Sequence, residues 1–402
     1  MKEEGILTPG TIDLNPALPA QAAAAELSEE RPKPGAPARL HLTFIDGMRG
    51  CAASYIVFDH ALEMSGHQPT TAVQRFLSEL LGQGHSVVTI FIAISGFCLM
   101  LPVARSGLKL AGGARKFFKG RARRILPPYY IALAFSILVV ALLVPAGERL
   151  AFLRAPAMEF SIAMHLLLIH NLNLATFYGI NGPLWSVATE CQIYLLFPLM
   201  IMAWRRFGMA RSLLGIFILA HLAFHLSGDR IPFNYIFTFA LGMAAAMGTV
   251  ERRAEWWLFL ACGCSLIGFI LSVRWRVVVS DLCIGVLIAT LMAILSMGKI
   301  AWLRKLLSLR LLTWIGSFSY SLYLIHALLQ DCYLSTDFSA HHSGTSLELI
   351  VMFFVVSPIN FLVAYLFYFA AEKPFLNRKR QVIVETALAE PSTLQQISVG
   401  NG

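Results

Sequence analysis

Five ionisable side chains fall within the first long apolar stretch of the chain: Asp46, Arg49, Asp59, His60 and Glu63. On a helix at about 100° per residue, Arg49 and His60 come within about 20° of one another. They then share one face, about 16 Å apart along the axis. Asp46 stands three residues before Arg49 and Glu63 three after His60, so each can meet its neighbour. Inside a membrane such groups cost ~2.5–3.5 kcal/mol each, so the stripe must turn toward protein or water. A buried ion pair with an interfacial histidine would account for it structurally. An imidazole that titrates near neutrality, oriented by a carboxylate or an arginine, would account for it as a general base. A transporter or channel passing protons or a polar solute fits the same stripe on physics alone.

The elements that carry these residues are set by composition. Of 402 residues, 57% are hydrophobic and 14% charged, against about 25% charge in a soluble domain. Mean hydropathy is +0.66. Too few charges remain to coat a soluble surface. The net charge of +9 would suggest nucleic acid in a soluble chain. Here it fits Lys and Arg gathered in cytoplasmic loops, and no nucleic-acid partner is expected. Seven cysteines lie mostly in apolar runs without metal or disulfide spacing, so neither a metal site nor a disulfide is expected.

Apolar runs long enough to cross ~30 Å as helices occur at 42–62, 86–104, 125–144, 184–204, 212–226, 231–247, 256–273, 277–297, 311–333 and 349–371. The predicted fold is an all-α polytopic membrane protein of about ten transmembrane helices. Residues 162–175 form a shorter apolar run that includes His165, His170, Asn171 and Asn173. Eight Lys and Arg between Arg105 and Arg124 mark that connection as cytoplasmic, which puts both termini inside. A crossing at 162–175 would turn every later basic loop outward, so it is read as a non-spanning, re-entrant type of element. Residues 1–40, rich in Ala, Pro and Glu, read as a disordered cytoplasmic tail without signal-peptide pattern. The transmembrane domain is expected over 41–378, followed by a cytoplasmic tail over 379–402.

Motifs along the chain then narrow the function. Ile45-Asp46-Gly47-Met48-Arg49-Gly50, followed by His60, resembles the opening of the membrane-bound acyltransferase-3 family. Five more matches follow in family order. They are Phe91-Ile92-Ala93-Ile94-Ser95-Gly96-Phe97; Arg121-Ala122-Arg123-Arg124-Ile125-Leu126-Pro127; Leu184-Trp185-Ser186 with Glu190, Tyr194 and Pro198; Gly316, Ser319-Tyr320, Tyr323-Leu324 and His326; and Glu372-Lys373-Pro374-Phe375. Cys191 stands where the family often has a second acid, so only Glu190 carries over. No soluble hydrolase-like domain of the kind some members carry is seen, so the reaction is expected to use the membrane domain or a separate partner.

The resemblance implies an integral-membrane O-acyltransferase in a bacterial inner membrane. The donor would be acyl-CoA, most simply acetyl-CoA, with no permanently bound cofactor. The acceptor would be a hydroxyl on a carbohydrate such as an envelope polysaccharide, or on a secondary metabolite such as a macrolide. In that reading His60 is the general base toward the acceptor hydroxyl and returns its proton to the departing thiol, with an acyl-histidine left open. Arg49 stabilises the oxyanion or positions the donor, and Asp46 orients Arg49. Glu190 and His326 bind the acceptor or tune His60. Arg121 and Arg124 take the coenzyme A phosphates, which guanidinium groups grip in bidentate fashion. Their basic neighbours serve as topology anchors and lipid contacts. Ser95-Gly96 is expected to permit close helix packing rather than to supply a nucleophile.

Overall fold

A computed structural model describes residues 42–69, 71–144, 155–228, 230–251, 255–272 and 277–376. The tails expected over 1–40 and 379–402 lie outside these residues. No strand occurs among the described residues. In chain order the helices are α1 (Thr43–Met64), α2 (Ala72–Leu81), α3 (His85–Arg105), α4 (Gly113–Leu143), α5 (Pro156–Leu166), α6 (Leu184–Phe207), α7 (Met209–Leu226), α8 (Tyr235–Glu251), α9 (Glu255–Ser272), α10 (Val277–Ser296), α11 (Ala301–Leu307), α12 (Arg310–Ser317), α13 (Ser319–Leu334), α14 (Asp337–His342) and α15 (Ser346–Phe375).

Among the described residues, six helices are long and apolar enough to cross a bilayer: α3, α4, α6, α7, residues Val279–Ser296 of α10, and α15. The pair α12–α13 would make a seventh, bent by 73°. The chain is a multi-pass membrane protein. Its outer faces agree, since Leu214, Leu219, Leu222, Ile267, Leu271 and Phe354 are all largely exposed and need lipid around them. Three further expected crossings fall short of the same standard. α1 is weighed down by its own ionisable residues, and α8 and the apolar part of α9 are only 17 residues each.

Two expectations change. The single run at 311–333 is broken at Phe318, between two helices. The break persists because Glu372 (3% exposed) accepts from Ser321 N–H at 3.2 Å and from Ser321 Oγ at 2.7 Å. A carboxylate at the first turn of α13 satisfies amides that a continuous helix would have covered. The basic segment before residue 125 is also helical and continuous with its span, so Arg121 and Arg124 stand on a rigid rod rather than a loop.

The short run at 162–175 becomes the 11-residue α5, a turn, and a 3-10 helix at His170–Leu172. That length reaches only ~16 Å and cannot cross. Polar side chains sew it into the bundle. Tyr129 OH donates to His165 O at 2.9 Å, and Gln192 Nε2 to Asn171 Oδ1 at 2.8 Å.

Glycines set the closest crossings. A Cβ on Gly50 would strike the Leu312 carbonyl, and one on Gly316 the Asp46 carbonyl, so α1 and α12 meet backbone to backbone. Gly96 and Gly242 do the same for α3 and α8, against Phe239 and Ala93. Such approaches are how helices associate where no hydrophobic drive exists between them. They fix the rotation of the helices that carry Arg49 and Ser95.

Candidate active site

A cavity of about 90 Å³ opens among α1, α3, α4, α6 and α13. Arg49, Arg121, Arg124 and Glu190 all line it, so four of the residues singled out from sequence share one space. They come from three helices far apart in the chain. Along α3 the lining runs from Val88 to Leu99, about 16 Å at 1.5 Å per residue. The space is therefore elongated and follows the helix axes. Arg121 and Arg124 mark its basic end. Val88 and Ser186, near the N-terminal ends of α3 and α6, mark the other.

The polar lining is organised. Tyr194 OH donates to Glu190 Oε1 at 2.5 Å, and Ser95 Oγ lies 2.6 Å from the same hydroxyl. Ser186 Oγ donates to Tyr323 OH at 2.8 Å. Arg49 Nε is buried and has no hydrogen-bond partner, so this donor is available to a negative charge. Asp46, one turn before Arg49, is half-buried.

His60 does not line this cavity; it reaches it through a second imidazole. Its ring centroid lies 5.0 Å from that of His326, which lies 5.7 Å from the ring of Tyr323 on the cavity wall. His326 is fully buried, and its Nδ1 faces the carbonyls of Tyr323 (2.9 Å) and Leu322 (3.2 Å). Carbonyls only accept, so Nδ1 carries the proton and Nε2 keeps a lone pair. That Nε2 is buried without a partner, as is His60 Nδ1. Two unpartnered buried nitrogens on neighbouring imidazoles suit proton handling better than packing.

Asp59, His60 and Glu63 bring their ligand-type atoms within 4.8 Å of one another, a set that could hold a cation. Asp59 Oδ1 already accepts Gly84 N–H at 2.9 Å, and Glu63 is exposed. The two carboxylates thus stand beside the imidazole. A Cβ on Gly84 would overlap the Asp59 carboxylate, so a larger residue there would displace it.

One buried acid escaped the sequence reading. Asp281 on α10 is buried and accepts from Thr89 Oγ1 at 2.9 Å and from Tyr235 OH at 3.4 Å, with His85 Nε2 at 3.8 Å. A lone acid inside an apolar run was its signal. His165 and His170 stack at 3.8 Å with 9° between planes, both fully buried. Burial pushes both imidazoles below the ordinary range. His170 goes down to about 3, from burial first and the neighbouring His165 second.

The sequence profile of an acyltransferase domain, acyltransferase-3, matches residues 42–369, which contain every residue of this cavity. The chain belongs to the acyltransferase-3 family. Among its curated relatives in that family's sequence neighbourhood is nodulation protein 10 of Rhizobium leguminosarum bv. viciae, 26% identical over 250 residues. That match covers 54% of this chain and 65% of the relative. Another is the peptidoglycan O-acetyltransferase OatA of Listeria monocytogenes, 22% identical over 275 residues, 60% of this chain and 44% of that protein. Protein 2 in the picA locus of Rhizobium radiobacter is 28% identical over 163 residues, 37% of this chain and 76% of the relative. The chain thus spans less than two thirds of the first two relatives' own lengths. No solved structure matches it.

Proposed function

We propose that this acyltransferase-3 family member is an integral-membrane O-acyltransferase that moves an acyl group from acyl-CoA to an acceptor hydroxyl. The observation that carries the reading is the single elongated cavity joining Arg121 and Arg124 to Arg49, with the His60–His326 pair behind its Tyr323 wall. Guanidiniums at the basic mouth suit the diphosphate of the donor. The extended pantetheine arm then lies along the cavity, with its thioester carbonyl within reach of Arg49. Arg49 stabilises the oxyanion. His60 takes the acceptor proton, with His326 as the adjoining base. Glu190 is held by Tyr194 and orders the polar wall.

In this reading the chain crosses a bacterial inner membrane ten times, α1, α8 and α9 included, with both termini in the cytoplasm. The donor enters at the basic end and the acceptor from outside. The acyl group is acetyl, and the acceptor is an exported or envelope carbohydrate. The name of the Listeria relative supports that choice, and a macrolide is the second candidate. A transporter explains the charged stripe but not the family membership.

Purified protein incubated with labelled acetyl-CoA should release free thiol and yield an acylated product when given envelope glycan fractions. A transporter would give neither. Comparing envelope glycans by mass between a deletion strain and its parent identifies the acceptor, with the expected loss of about 42 Da per acetyl site.

A further inference from the structure

Hydroxyls inside these helices share a habit. Ser54, Ser136, Thr249, Ser265 and Thr290 each donate to the carbonyl four residues back, which satisfies a buried hydroxyl locally. Ser95, like Thr89 and Ser186, instead reaches to a neighbouring helix, from α3 to Tyr194 on α6. Tyr194 has one proton and donates it to Glu190. With that proton committed to Glu190, Ser95 must be the donor to the tyrosine oxygen. The Ser95 lone pairs are left to the cavity, midway along the stretch of α3 that lines it and in company with Arg49. Gly96 locks α3 against α8 one residue on, so the packing expected of the Ser-Gly pair belongs to the glycine. The serine heads a hydrogen-bonded chain.

We propose that Ser95 is a nucleophile, acylated by the donor before the acyl group passes to the acceptor. The step rests on the acyl-CoA reading above. Ser95 Oγ bonds to the thioester carbonyl carbon while its proton moves to Tyr194 and the tyrosine's proton to Glu190. The C–S bond breaks, and the thiolate takes up the proton from Glu190, giving free thiol and a serine ester. In the second half the acceptor oxygen attacks the ester carbonyl while its proton passes by way of Tyr323 to the His326–His60 pair behind that wall. The bond to Ser95 breaks, and that proton is restored to the serine oxygen. Return of a proton to the thiol thus falls to Glu190 rather than to His60.

The test is to mix the purified full chain with acetyl-CoA and no acceptor, quench, and map the label by mass. The expected result is about one acetyl per chain on the Ser95 peptide, with one equivalent of thiol. The ester should survive acid and be released by alkaline hydroxylamine. Ser95→Ala should lose both signals, and Tyr194→Phe should slow the burst about 100-fold. Ser95→Cys should carry a thioester that neutral hydroxylamine cleaves, which keeps the idea testable if the alanine variant folds poorly. Thiol release without label, label on His60 or any other side chain, or an undiminished burst in Ser95→Ala overturns the Ser95 step alone. No thiol release from wild type under any condition overturns the donor reading as well.

Discussion

The imidazoles of His60 and His326 lie 5.0 Å apart, one on α1 and the other on α13, although 266 positions separate them in the chain. Because Nδ1–H of His326 is committed to backbone carbonyls, its bare Nε2 is a base with a fixed direction. His326→Gln should therefore lower kcat by 100-fold or more, the usual weight of a positioned acid–base group. KM for acyl-CoA should stay within about twofold, since the donor site is on the arginine side. Steady-state kinetics with both substrates varied checks this. A kcat near wild type would make His326 a packing residue.

Arg121 and Arg124 are half-buried on α4 and line the cavity, whereas Arg123 is exposed between them. Replacing either lining arginine by alanine should raise KM for acyl-CoA by roughly 10- to 100-fold, from ~1.5–3 kcal/mol for a charged hydrogen bond. Lysine should recover little, because it lacks the planar fork. Arg123→Ala should leave KM unchanged. Equal effects at all three would reduce the segment to a topology signal.

The sequence revealed the lining of this site better than its connections. Arg49, Arg121, Arg124 and Glu190 were each legible as a costly or patterned charge within an apolar region, and one cavity gathers them. The resemblance offered His326 as one group that could tune His60, but their ring contact was not legible from periodicity, which ranks faces within a helix and says nothing of which helices are neighbours. Phe318 escaped for a related reason. A break inside an apolar run leaves hydropathy unchanged, and its cause is a carboxylate at Glu372. Ser95 was read through its glycine neighbour, and only its bond to Tyr194 separates the two roles.

Stability should depend on pH through the His165–His170 stack. An unfolded-chain histidine titrates near 6.5, while folded His170 is pushed down to about 3 by burial and by His165. Above about pH 6.5 both states are neutral and the stack's contribution is complete. Between about 6.5 and 3 the unfolded chain binds a proton that the folded one refuses, so stability falls as the pH drops. Thermal unfolding in detergent should show a flat midpoint from about pH 8 to 7 and a decline toward pH 4.5. His170→Phe should flatten that decline. An unchanged slope would mean other groups govern it.

Close helix crossings should be intolerant of volume. Gly50→Val places carbon against the Leu312 carbonyl, and such overpacking costs ~1–3 kcal/mol or more. The expected outcome is a clear drop in melting temperature and in monodisperse yield. Gly248→Ala on α8, with open space around it, should be neutral or stabilising by about 0.5–1 kcal/mol. Similar behaviour of the two would contradict the backbone-to-backbone contact.

The most direct measurement follows acyl transfer from labelled acyl-CoA to an envelope glycan acceptor by His60→Ala beside wild type, both reconstituted and matched for folding by melting temperature. Wild type should form labelled product, and the variant should form none above background while melting normally. Product formation by the variant at the wild-type rate would remove the imidazole from the chemistry and contradict the account of this site.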